Sequence, residues 1–179
     1  MIVFVHGLWH TAEAWEPFLQ FFKEQHLECR AIDLREGRDP AQTRFRDYVD
    51  TVMDTVTEDD IVVGHSMGGL IMQKVAEEKT IRGGVGICSS PPHGIKFKKT
   101  MAVSSLRYLP NVLMKKPFKP SYSFVRKSAL NCVSENVAEK AYGLDYTIVP
   151  PMVAYELALS KIEVDESRVT CPLHFIAAM

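Results

Sequence analysis

The sequence predicts an α/β protein, a parallel sheet with helices on both faces, and three features carry that expectation. Short apolar, β-branched runs alternate with amphipathic stretches through Pro92 in the order β, α, β, α, β, α, β. Two of those runs, Met1-Ile2-Val3-Phe4-Val5 and Ile61-Val62-Val63, are continuously apolar, as strands covered on both faces must be. Each of the two ends in a glycine-bearing turn, His6-Gly7-Leu8 in the first case and Gly64-His65-Ser66-Met67-Gly68-Gly69 in the second. Functional groups in sheets of this kind collect at the carboxyl ends of the strands, and both turns lie there.

The elements follow in order. After the first strand, Thr11 to Gln25 reads as a helix, with Thr11 placed to cap it and Trp15, Phe18, Leu19 and Phe22 at helical spacing. Leu27 to Leu34 is a second strand, ending at Asp33 and a polar turn through Gly37. Pro40 suits the first turn of a helix whose apolar face is Phe45, Val49, Val52 and Val56. Asp60 to Val63 leads into the glycine-rich turn, and the helix behind it runs to about Lys79. Gly83 to Ser89 is a fourth strand, stopped by Pro91 and Pro92. From Gly94 to about Ser167 the alternation gives way to proline-broken helical pieces at Tyr122 to Leu130, Glu135 to Ala141 and Pro151 to Lys161. Strand character returns at Cys171 to Ala178. The expected organisation is a core of residues 1–93 and 168–179, with residues 94–167 inserted as a small helical cap.

A Gly-x-Ser-x-Gly turn between strand and helix has a specific chemical use. Glycines two positions either side of Ser66 give it steric room for a strained backbone that exposes its hydroxyl over the sheet end. The Met67 amide opens the following helix, so its N–H is unpaired there and available to a developing oxyanion. Ser66 is therefore the candidate nucleophile. Gly69 fits a close approach of helix to sheet.

With the opening loop added, the sequence resembles the α/β-hydrolase family, in particular compact members whose loop reads His-Gly-x-x-His followed by a Trp. Those positions are His6, Gly7, His10 and Trp15 here, and plant methylesterases, hydroxynitrile lyases and many small bacterial esterases share the pattern. The resemblance runs from Met1 to about Pro92 and weakly beyond. It implies an α/β-hydrolase fold, a serine esterase reaction on a small-molecule ester, and backbone oxyanion donors at Leu8 and Met67. It implies no cofactor, and it marks the inserted segment as a cap over the site. Trp9, His10 and His93 are candidate substrate-lining residues.

In this family the triad acid follows the strand expected at Cys171 to Ala178, and the histidine comes later still. Neither loop is in the sequence, so the chain is expected to be the first two thirds of a longer hydrolase, C-terminally incomplete. Of the internal histidines, His93 and His10 lie at the active-site end. His6 is expected to serve loop architecture, His65 to point away from the serine's reacting side, and His174 to pack in the core. Asp33 and Asp145 read as turn or surface residues.

Composition narrows the classes. At 46% hydrophobic over 179 residues the chain can bury one core, with no apolar run long enough for a membrane span, and because the first residues read as a strand running into the opening loop no signal peptide is expected. The four cysteines, Cys29, Cys88, Cys132 and Cys171, match no zinc or redox spacing and read as reduced, mostly buried thiols of a cytoplasmic protein. No metal-ligand spacing or phosphate-binding glycine loop is present, and nucleic-acid binding has no support beyond one basic segment. That segment, residues 96–127, holds nine Lys or Arg and no Asp or Glu beside many apolar residues. It is expected either to cover the pocket or to touch an anionic membrane surface, which would suit acyl or lipid-like substrates. A non-catalytic ligand-binding protein is the alternative from another class, and hydroxynitrile lyase or carbon–carbon hydrolase chemistry is a third use of the same site parts. Haloalkane dehalogenation is disfavoured, because it needs a carboxylate where Ser66 stands.

Overall fold

A computed structural model describes residues 1–95 and 106–177. Five parallel strands form one sheet: β1 (Ile2–Val5), β2 (Cys29–Ile32), β3 (Ile61–His65), β4 (Gly83–Ile87) and β5 (Leu173–Ile176), in spatial order β2-β1-β3-β4-β5. The chain steps outward from β1 to β2 and then returns past β1 to β3. The strand order therefore reverses between β1 and β3, and the ends of those two strands are where such sheets bind ligands.

Alternating side chains of the central strands go to opposite faces. Val3, Val5 and Val62 enter the larger core, formed with helix α2 (Phe45–Thr55) and helix α3 (Met67–Glu78). Phe4 and Val63 enter the smaller core on the other face, where the Trp15 ring packs at a tilt 4.9 Å from that of Phe4. That face is covered by a 3₁₀ turn at Ala12–Trp15 and helix α1 (Glu16–Glu24). Thr11 makes no side-chain cap; the chain enters through the 3₁₀ turn, whose Ala14 amide donates to the Thr11 carbonyl.

The helix expected from Pro40 begins at Phe45 instead. Asp39 organises a separate turn, its carbonyl accepting from the Gln42 and Thr43 amides and its carboxylate from the Ala41 amide. The predicted apolar face is nevertheless the one buried, with Phe45, Val49, Val52 and Val56 all 3% exposed or less.

Between β4 and β5 the described residues hold α4 (Leu109–Leu113), α5 (Tyr122–Ser128), α6 (Glu135–Asp145) and α7 (Pro151–Ala158). The sequence pattern located the last three and missed α4. Helix α7 packs onto the larger core through Val153 and Leu157, and its Glu156 carboxylate accepts from the Phe45 amide at the start of α2. A third cluster, of Phe124, Val125 and Tyr146, sits among these helices. Residues 96–105 of the basic segment lie outside the described residues; in the remainder Leu109, Leu113 and Met114 are exposed.

Two expectations about burial do not hold. His174 is exposed, because β5 is an edge strand whose burial falls away along its length. Cys88 and Cys132 are exposed too, while Cys29 and Cys171 are partly buried, and none of the four is in a disulfide.

Candidate active site

The turn between β3 and α3 is built on close contacts that only glycine allows. A Cβ on Gly64 would stand 2.1 Å from the Gly68 carbonyl oxygen, and one on Gly68 would stand 2.2 Å from that of Val5. A Cβ on Gly69 would meet Ser89 Oγ at 2.6 Å, so α3 starts hard against the ends of β1, β3 and β4. Ser66 at the apex has φ 53° and ψ −116°, a conformation that strains any residue with a side chain. It is held there from β4: the Ser66 amide donates to the Ile87 carbonyl at 3.0 Å, and the Ser90 amide to the Ser66 carbonyl at 2.8 Å. Met67 is the first residue of α3, so its N–H has no acceptor within the helix.

The opening loop faces this turn. The point where a Gly7 Cβ would lie is 3.3 Å from Ser66 Cβ, 3.3 Å from His10 Nδ1 and 3.2 Å from His65 Nδ1. Glycine at that position lets Ser66, His10 and His65 converge. The His65 ring lies against the opening loop, 5.5 Å from that of His10.

His6 is 1% exposed and its two ring nitrogens have fixed roles. The Leu34 amide donates to Nε2 at 3.1 Å, so the proton is on Nδ1, which donates to the Gly7 carbonyl at 2.9 Å. The His10 amide donates to the same carbonyl at 3.1 Å and closes residues 7–10 into a turn. A trans peptide points its N–H opposite to its C=O, so fixing the Gly7 carbonyl from one side sends the Leu8 N–H to the other. Asp33 closes a local turn by accepting from the Arg35 amide at 2.9 Å, and its carboxylate lies 3.5 Å from His6 Nε2.

Burial, then the neighbouring His65, His6 and Arg35, hold the His10 imidazole down to about 3. His65 is lowered as well, by burial and by His6. Both rings are neutral around pH 7. Among the described residues no side chain hydrogen-bonds the Ser66 hydroxyl, and no group of His, Cys, Asp and Glu is arranged to hold a metal ion.

The remaining sequence-marked residues are engaged elsewhere. Trp9 packs 5.6 Å from Phe124 and 5.8 Å from Tyr146, joining the opening loop to the inserted helices. His93 is exposed; its Nδ1 donates to the Ser160 carbonyl at 2.9 Å, and its amide to that of Ile162 at 2.7 Å. Two contributors were missed. Tyr146 lies 5.0 Å from His10, and Arg35 donates to the carbonyls of Leu8, His10 and Ile148. The available signal for Arg35 was its place two residues after Asp33 at a strand's carboxyl end; nothing local marks Tyr146.

The chain belongs to the Alpha/beta hydrolase family, whose model matches residues 2–160. The fold recurs in solved structures at low identity. An extracellular α/β-hydrolase from a Paenibacillus species, described as sharing structural and functional homology with tobacco salicylic acid binding protein 2, superposes with a TM-score of 0.74 at 18% identity, over 97% of this chain and 75% of that one. A variant of tomato methylketone synthase I complexed with β-ketoheptanoate gives 0.73 at 20% identity, over 99% and 78%. Polyneuridine aldehyde esterase gives 0.65 at 18%, over 98% and 78%. No curated protein matches the sequence. Family and neighbours together support hydrolase chemistry in general.

Proposed function

We propose that the protein is a serine hydrolase acting on carboxylic esters through an acyl-enzyme on Ser66. The observation that carries this reading is the strained Ser66, set where the strand order reverses and facing Gly7 of the opening loop. Ser66 Oγ attacks the ester carbonyl carbon, and the amides of Leu8 and Met67 receive the negative charge that develops on its oxygen. The leaving alkoxide departs with the serine proton as an alcohol. Water then attacks the acyl carbon, releases the acid and restores the hydroxyl. The helices between β4 and β5 act as the cap, docked to the opening loop through Trp9.

A neutral imidazole with a pKa near 3 is a poor base at pH 7, so His10 is assigned to shaping the site rather than to proton removal. Oxyanion stabilisation without a base leaves turnover several orders of magnitude below that of a complete triad. The test is fluorophosphonate labelling with mass-spectrometric location of the adduct, alongside p-nitrophenyl butyrate hydrolysis. Labelling at Ser66, lost in Ser66→Ala, is the expected result; an adduct elsewhere overturns it. The second reading, a ligand-binding protein without turnover, draws on the absence of a side-chain partner for the Ser66 hydroxyl among the described residues. Complete inertness to the fluorophosphonate and the ester would favour it.

A further inference from the structure

Arg35 stands where the end of β2, the opening loop and the returning cap meet. Its Nε donates to the His10 carbonyl at 3.0 Å, and its terminal nitrogens donate to the carbonyls of Leu8 and Ile148. Two of these acceptors belong to the turn that carries the Leu8 amide, and the third belongs to the strap between α6 and α7. The strap is tied to the same turn independently, by the Thr147 amide donating to the Trp9 carbonyl at 2.8 Å and by the Tyr146 ring on His10. No carboxylate among the described residues forms an ion pair with the Arg35 guanidinium; the charge of Asp33 acts on it from farther off, and the three carbonyls are its direct acceptors.

The geometry of the cation matters here. A guanidinium is planar and its donors diverge at fixed angles, so three acceptors bound to it are fixed relative to one another. The peptide plane before Leu8 is set by the bonds to the Gly7 carbonyl, and Arg35 sets the plane after it. We infer that Arg35 is a positioning residue: it locks the Leu8 amide in its oxyanion-binding direction and makes that lock depend on the docked cap strap. This rests on the reading of Ser66 and Leu8 given above.

The experiment has two arms on the full chain. The first measures the second-order rate of Ser66 modification by a fluorophosphonate in wild type, Arg35→Ala and Arg35→Lys, with folding checked by circular dichroism. Arg35→Ala is expected to react about 10- to 100-fold more slowly, because a misdirected oxyanion donor forfeits most of its effect. Arg35→Lys keeps the charge but not the fork, and is expected to remain about 10-fold slow. Arg46→Ala, which removes an exposed ion pair between α2 and α3 and touches neither turn nor strap, keeps the wild-type rate. The second arm is amide hydrogen exchange, in which Arg35→Ala and Arg35→Lys should accelerate His10 and Thr147 together. A wild-type rate in either variant, or unchanged exchange at both amides, overturns the proposal. A wild type unmodified at Ser66 defeats the serine reading instead, and the exchange arm still decides whether Arg35 joins turn and strap.

Discussion

The buried Leu34 amide donates to Nε2 of the buried His6, tying the end of β2 to the end of β1 through a side chain. The first expected outcome concerns this pair. His6→Phe fills similar volume but removes the acceptor from Leu34 and the donor from the Gly7 carbonyl. Leaving a buried N–H unpaired costs about 1–3 kcal/mol, and the lost second bond adds to it. Urea unfolding should show a lower midpoint with an unchanged slope.

Ser66 stores strain that a glycine would not feel. At φ 53° and ψ −116°, Ser66→Gly should raise stability by about 1 kcal/mol while eliminating fluorophosphonate labelling. A melt at or below the wild-type temperature would argue against a strained apex.

Two glycine substitutions should move stability in opposite directions. Gly68→Ala forces a methyl group onto the Val5 carbonyl and is expected to cost more than about 3 kcal/mol. Gly143→Ala, inside α6 with nothing within 4 Å of the new Cβ, should stabilise by about 0.5–1 kcal/mol. Parallel thermal melts check both.

Acid should unfold the protein through His10. Its folded value, about 3, lies below the ordinary 6.5, so the unfolded chain binds the proton that the folded one refuses. The contribution is intact above about pH 6.5 and is lost as pH falls toward 3, at about 1.4 kcal/mol per pH unit. His65 is shifted in the same direction and steepens the loss. His10→Gln should flatten the stability profile between pH 6 and 4, measured by urea titration at each pH.

What the sequence made legible was what repeats locally. The strands were visible as β-branched runs, and the turn between β3 and α3 as glycines at fixed offsets from Ser66, because those signals concern neighbours in the chain. Arg35 was not legible, since one of its acceptors is the Ile148 carbonyl, 113 positions away. His174 was misplaced for a related reason: alternation predicts two faces, whereas exposure depends on what lies beside the strand. The start of α2 was set by Asp39, whose turn outcompeted the favourable placement of Pro40. The meeting of Ser66, His10 and His65 around Gly7 required knowing that the opening loop packs against the β3 turn.

The strand order also prescribes a sequence of events during folding. Strands β1 to β4 and the helices between them come from one contiguous stretch, and their pairings close shorter loops than the pairing of β4 with β5 does. The pairing of β4 with β5 must close a longer loop, one that contains α4 to α7. Closing a longer loop takes more chain entropy, and distant contacts form late. A nascent chain can thus assemble β1 to β4 with the Ser66 turn before β5 is translated, leaving the flank of β4 open meanwhile. An unpaired strand edge of that kind is open to association with other chains until β5 arrives.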